Sequence, residues 1–158
     1  MESKVTSNEK TIPDEIKVRI LAVNWNENII GYLMKENSGN YFFKYDDKGI
    51  QEARKNGYPY IIGFKDTRRG KVYASKDLFP VFKSRIPTKQ RRDLDDILES
   101  YGMENYDEFD LLAFSGGRLF TDAISFAEYT PEILKAKRRL INNDITSKSY
   151  DEVESNGR

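Results

Sequence analysis

Residues 16–33 read IKVRILAVNWNENIIGYL, and this stretch decides the fold. Apolar side chains at Ile16, Val18 and Ile20 alternate with the residues between them, which is typical of a strand with one buried side. The polar run at 26–28 predicts a turn before the next apolar run. The stretch therefore predicts a β-hairpin, and we expect an antiparallel sheet to begin near residue 16.

Further strands are predicted downstream of this hairpin. Tyr41–Tyr45 follows a polar turn and completes an antiparallel meander of three short strands. Tyr58–Phe64 has the aromatic and β-branched content of another strand, and extended chain resumes at 71–73 after a charged loop. A closing strand is predicted at 119–127. The sheet is thus built from segments spread along the whole domain.

Helical spacing of apolar residues dominates the second half of the chain. A short helix is predicted at 48–56, and amphipathic or capped helices at 79–87, 88–101 and from Asn105 to the glycines at 116–117. Their apolar positions form the predicted helical part of the core, which comprises Phe79, Phe82, Leu94, Ile97, Leu98, Phe109 and Leu112. Thr130-Pro131 opens a last predicted helix.

These elements predict an α+β fold, with a small curled antiparallel β-sheet covered by three or four short helices. The chain of 158 residues has room for one domain of ordinary size. We predict a flexible lead at 1–15, the domain at 16–129, a C-terminal helix at 130–142 and a disordered tail at 143–158.

Composition excludes much enzyme chemistry. The chain contains no cysteine and no histidine, which removes disulfides, thiolate nucleophiles, imidazole bases and histidine metal ligands. The polar first residues lack the apolar segment of a secretion signal, and no apolar run is long enough to span a membrane, so we expect a cytoplasmic protein. The 26 basic and 26 acidic residues balance, so any basic function must be local.

Two short motifs have some features of ligand sites. The Gly70-Lys71 pair lacks the earlier glycine and the following hydroxyl of a phosphate-binding loop, since Lys65 and Val72 occupy those positions. Asp95 and Glu99 share a helical face, but carboxylates are ordinary on the wet side of an amphipathic helix. We therefore predict no metal and no cofactor.

The order of elements from Ile16 to Phe126 resembles the N-terminal subdomain of the HipA family of bacterial toxin kinases. The resemblance is carried by several fragments, which are Val23-Asn24-Trp25, Ile30-Gly31-Tyr32-Leu33, Tyr41-Phe42-Phe43-Lys44-Tyr45, Leu78-Phe79-Pro80-Val81-Phe82, Arg85-Ile86-Pro87, Phe109-Asp110-Leu111-Leu112-Ala113, Ser115-Gly116-Gly117 and Asp122-Ala123-Ile124-Ser125. One departure is the loop after Pro87, where Thr88, Lys89 and Gln90 replace the family's usual glutamate, glycine and tryptophan.

The resemblance implies a non-enzymatic role. No metal-binding carboxylates or phosphate-gripping loop follow Phe126, where the family's kinase core would begin, so we expect no phosphoryl transfer. A free-standing version of this subdomain resembles the HipS-type antitoxin of three-gene systems. The implied partners are a HipA-like kinase lacking its own N-terminal subdomain and a HipB-like helix-turn-helix DNA-binding protein.

Basic connections between predicted elements are the candidate partner-binding surface. A kinase active site is acidic because it holds magnesium, so basic loops could enter it electrostatically. The candidates lie in two segments, comprising Arg85, Thr88, Lys89, Gln90, Arg91 and Arg92 in the first and Lys65, Arg68, Arg69 and Lys71 in the second.

Two other functions compete with this interpretation. A nucleic-acid-binding protein could stack bases on the aromatic strand 41–45 and hold phosphates with Lys135, Lys137, Arg138 and Arg139. An enzyme working with carboxylates alone is the third alternative, and no convergent motif supports it.

Overall fold

The computed structural model describes residues 18–129, and the predicted lead, C-terminal helix and tail lie outside this range. The described residues form an α+β fold with an open antiparallel sheet of five strands, in the order β4-β3-β2-β1-β5. The strands are β1 Val18–Trp25, β2 Asn28–Glu36, β3 Tyr41–Tyr45, β4 Val72–Ser75 and β5 Ile124–Glu128. The helices are α1 Asp47–Lys55, α2 Pro80–Lys83, α3 Leu94–Ser100 and α4 Glu108–Ser115.

The predicted hairpin is confirmed, with Trp25 paired to Asn28 across a two-residue turn. Asn26 and Glu27 both have positive φ, at 57° and 98°, as a tight turn between twisted strands requires. The buried face of β1 is the opposite of the one predicted. Leu21 and Val23 are fully buried, because this face of the sheet is the one packed with the other core side chains.

Helix α1 sits tightly against β2 because it contains a glycine at the contact. A Cβ atom on Gly49 would lie 1.9 Å from the carbonyl oxygen of Ile29, so only glycine allows this approach. The Asp46 carboxylate accepts a hydrogen bond from the Gly49 backbone N–H at 2.8 Å and caps the helix. Ile50 and Ala53 then turn inward and join the core.

The predicted strand at 58–64 is wrong. Ile61 and Phe64 are buried, but the backbone folds into a turn closed by a 2.8 Å hydrogen bond from Phe64 N–H to Ile61 C=O. The Tyr45 hydroxyl donates to the Phe64 carbonyl at 2.6 Å and accepts from Ile61 N–H at 2.8 Å. Because a buried side chain satisfies these backbone groups, the segment needs no strand partner. Burial raises the pKa of Tyr45.

The helices in the second half are shorter than their apolar periods predict. Helix α2 is one turn with Pro80 at its start, and it ends at Lys83 instead of continuing to residue 87. Residues 88–93 form successive turns, so α3 begins only at Leu94. Asp107, not Asn105, caps α4 by accepting from Asp110 N–H at 2.8 Å. The left-handed Gly116 ends α4 as predicted.

One core joins the helices to the sheet. Of the predicted helical core residues, Phe79, Phe82, Leu98, Phe109 and Leu112 are buried, while Leu94 and Ile97 are half-buried against the same cluster.

None of the helices within residues 18–129 has the length and apolar character that crossing a lipid bilayer requires.

We predict that Leu98→Ala lowers the free energy of unfolding by about 2–5 kcal/mol, because Leu98 is the buried residue of α3 and truncation leaves a cavity. Urea denaturation followed by circular dichroism measures the change. Glu99→Ala on the exposed side of the same helix is the control and should be nearly neutral. Thermal denaturation gives a second comparison. If the melting temperature of Leu98→Ala is within about a degree of that of the parent, the apolar side of α3 lies outside the core.

Tyr45→Phe should cost about 1–3 kcal/mol, because it removes one hydroxyl and leaves the Ile61 N–H and the Phe64 carbonyl without a partner. Tyr60→Phe is the matched control, since the hydroxyl of the half-buried Tyr60 makes no hydrogen bond with a described residue. Equal denaturation midpoints for the two variants would contradict the role given to the Tyr45 hydroxyl.

Candidate partner-binding surfaces

The first candidate segment runs from Arg85 to Arg92 and leads from α2 to α3. Its backbone is held at Pro87, whose carbonyl accepts a 2.7 Å hydrogen bond from the Tyr106 hydroxyl. The Lys89 ammonium lies 5.5 Å from the centre of the Tyr106 ring, within the range of a cation–π contact. Burial raises the pKa of Tyr106 above its ordinary value.

Arg85, at the start of this segment, faces the protein interior. Only 5% of its side chain is exposed, and its guanidinium makes a bidentate ion pair with Asp122. It also donates to the Gly117 carbonyl at 2.9 Å. Arg85 therefore links α2 to the turn before β5 and does not lie on the open surface with the other predicted residues.

The remaining basic residues of this segment are exposed. Arg91 donates to the Asp93 carboxylate at 2.6 Å, and this bond lowers the pKa of Asp93. Arg92 makes no hydrogen bond or ion pair with another described residue. Arg92 is therefore free to pair with carboxylates of another molecule, whereas Arg91 is shared with its neighbour.

Thr88, Lys89 and Gln90 line an open groove of about 510 Å³. Two ion pairs also line this groove, each with an N–O distance of 3.4 Å. They join Lys35 to Asp107 and Lys83 to Glu108. Because these charges largely neutralise each other, the groove is polar but carries little net charge.

The second candidate segment is the loop of residues 65–71. Arg68 donates twice to the Asp66 carboxylate, with the shortest contact at 2.7 Å, and these hydrogen bonds lower the pKa of Asp66 to about 2. The Tyr73 hydroxyl bonds both backbone groups of Asp66, at 2.8 and 3.0 Å. Lys71 lies over the Tyr73 ring at 4.9 Å. The loop is therefore ordered by local contacts, and Lys65 and Arg69 remain exposed.

The two candidate segments have separate supports. The 65–71 loop is held by Tyr73 of the edge strand β4, whereas the 85–92 segment is held by Tyr106 and Asp122. No hydrogen bond or ion pair between described residues joins one segment to the other. Each segment is therefore ordered by its own set of contacts.

The aromatic strand proposed for base stacking is largely buried. Tyr41, Phe43 and Tyr45 point into the core, and Phe42 alone among its aromatic residues faces the other side beside the exposed Lys44. A single half-buried ring gives no row of stacking platforms. The basic residues at 135–139, the other half of that hypothesis, lie outside the described range.

Among residues 18–129, no three or more acidic side chains come together as a group that could hold a metal ion. Asp95 and Asp96 are exposed in the first turn of α3. Carboxylates at that position interact favourably with the helix dipole.

Sequence reasoning missed one exposed feature, the turn at residues 118–123 between α4 and β5. This stretch was predicted to be the beginning of a strand that in fact starts at Ile124. Phe120 is fully exposed there, and Leu119 is 39% exposed. The two adjacent glycines at 116–117 were the available signal, since a double glycine often precedes a change of direction.

Comparison with known proteins identifies the family. The HipA N-terminal domain family matches residues 21–127, which extend from β1 into β5. A search of curated proteins finds no match for the chain. The match confirms the resemblance stated from the sequence fragments and covers well over half of the chain. The chain therefore belongs to the family of HipA N-terminal domains, which connects it with HipA-associated toxin–antitoxin systems.

Proposed function

We propose that this chain is a non-enzymatic binding module of a bacterial toxin–antitoxin system, which docks on and restrains a separately encoded HipA-like serine/threonine kinase. The observation that carries the proposal is the family match over residues 21–127, nearly all of the described range. A HipB-like helix-turn-helix protein is the proposed third member, and the cytoplasm is the proposed compartment.

Restraint by docking requires no covalent chemistry. Phosphoryl transfer depends on metal-binding carboxylates and a correctly placed catalytic aspartate, so the mouth of a kinase active site is strongly acidic. A basic segment is drawn toward such a site and can occupy the place of substrate or metal. Lys89 and Arg92 support this role, because neither pairs with a carboxylate among the described residues.

We place the working surface on Thr88–Arg92 together with the loop from Lys65 to Lys71. Both segments are connections held by hydrogen bonds to buried or half-buried tyrosines, which keeps them in place at little entropic cost on binding. Arg85, at the start of the first segment, is held by its ion pair with Asp122 in the turn before β5. Strand β3 gives little support to the nucleic-acid alternative, because it buries three of its four aromatic rings.

Reversing three charges, in the variant Lys89→Glu/Arg91→Glu/Arg92→Glu, should weaken binding to a HipA-like kinase from the same genome by about tenfold or more and reduce its salt dependence. The melting temperature should stay near that of the parent, because all three side chains are exposed. Biolayer interferometry at two salt concentrations measures both effects.

The matched control is Lys48→Glu/Lys55→Glu/Lys76→Glu, which changes net charge by the same amount at exposed positions outside both segments. It should retain most of the affinity. If the Lys89/Arg91/Arg92 variant binds and neutralises the kinase as the parent does, the working surface lies elsewhere.

We also expect no saturable heat when the purified protein is titrated with magnesium-ATP in the micromolar range, because the sequence has no phosphate-cradling loop. Isothermal titration calorimetry tests this expectation, with the HipA-like kinase as the positive control. A clear binding isotherm for this chain would contradict a purely non-enzymatic role.

A further inference from the structure

The turn at 118–123 presents an apolar tip to solvent. Phe120 is fully exposed and Leu119 is 39% exposed, although transfer of a phenylalanine side chain out of water is worth about 1.5–3 kcal/mol. Apolar side chains grouped on a surface mark sites of interaction more often than single ones do. A depression of about 470 Å³ at the tip is lined by Ile124 and by four residues of the turn, which are Arg118, Leu119, Phe120 and Asp122.

The start of this turn is fixed by Gly117. Its φ is +57°, in the left-handed region that favours glycine. A Cβ atom there would lie 2.7 Å from the Phe126 ring and 3.0 Å from Leu112. The chain thus leaves α4 in a direction set by close packing against the core.

The end of the turn is fixed by Asp122 and Ala123. Asp122 pairs with the buried guanidinium of Arg85 and accepts from Ile124 N–H at 3.2 Å. The Ala123 carbonyl accepts from Asn26 N–H at 3.0 Å, which ties the turn to the β1–β2 hairpin. The Arg85 guanidinium is almost fully buried, whereas the Asp122 carboxylate is 30% exposed. This bidentate pair and the two backbone hydrogen bonds together fix the end of the turn.

The charges around the tip indicate the chemistry of its partner. Asp122 is neutralised by Arg85, whereas the exposed Arg118 forms no hydrogen bond or ion pair with another described residue. The tip therefore combines a protruding aromatic ring with one uncompensated positive charge. Its complement is an apolar pocket with a carboxylate at the rim.

We propose that Phe120 is the anchor of this domain on the kinase, entering an apolar pocket of the kinase while Arg118 pairs with an acidic residue at the edge of that pocket. The inference rests on the proposed function and adds a second contact to the basic surface. Aromatic and arginine side chains that are ordered before binding are typical hot spots, because little entropy is lost when they dock.

The first test is Phe120→Ala, measured as the dissociation constant for the HipA-like kinase by biolayer interferometry. We expect affinity to fall by about 30-fold or more, as it does for hot-spot residues. The melting temperature should not fall, because the ring is fully exposed. Ile62→Ala is the matched control, since Ile62 is 78% exposed in a different turn, and its affinity should equal that of the parent.

Arg118→Glu is the second test. It should weaken binding about tenfold and make the affinity less sensitive to added salt, because one attractive contact with the acidic rim becomes repulsive while the basic surface is unchanged. Light scattering of parent and Phe120→Ala proteins, each without kinase, measures self-association.

The outcomes separate this inference from the proposed function. If the parent does not bind the kinase, the proposed function fails and the anchor fails with it. If the parent binds and Phe120→Ala binds equally well, the anchor alone is overturned. The anchor is also overturned if Phe120→Ala leaves kinase affinity unchanged but abolishes a dimer of the parent, because the tip then serves a second copy of this chain.

Discussion

A cluster of phenylalanine rings holds the sheet to everything packed on it. Phe43 on β3 lies 4.6 Å from Phe64 and 5.7 Å from Phe82, measured between ring centres. Phe82 in turn makes an edge contact with Phe126 on β5 at 5.1 Å. Opposite Phe43, a Cβ atom on Gly31 would lie 2.7 Å from the ring, so the neighbouring strand leaves space for it. Because these rings come from four distant segments, the cluster determines how the chain closes.

Polar groups at the edge of this cluster are satisfied by single side chains instead of by regular secondary structure. The Tyr45 hydroxyl bonds the turn that carries Phe64, and the Arg85 guanidinium bonds the turn before β5. Each side chain reaches backbone or carboxylate groups far away in sequence. Removal of the Tyr45 hydroxyl would leave two buried backbone groups unpaired. Two irregular segments therefore keep defined shapes beside a regular sheet.

The same framework explains why the proposed binding groups lie on connections. Segments 65–71, 88–92 and 118–123 each join regular elements, and each is held at one or more points by a tyrosine hydroxyl or by the ion pair of the buried Arg85 guanidinium. Charged and aromatic side chains on such segments can be exposed without loss of order. In the docking role that we propose for this member of the HipA N-terminal domain family, the basic residues would give attraction and one aromatic ring would give a specific contact.

Local patterns in the sequence determined the hairpin, the strand at 41–45, the proline-initiated helix α2 and the glycine that ends α4, because each depends on residues a few positions apart. The order of apolar fragments also determined the family resemblance. Tertiary structure alone decided that Tyr58–Phe64 is irregular and ends in a turn, that Arg85 points inward and that Phe120 points outward. The first two outcomes depend on partners 16 and 37 residues away, which are Tyr45 for Ile61 and Asp122 for Arg85. The local spacing of apolar residues cannot predict which distant group will form a hydrogen bond with a buried polar atom.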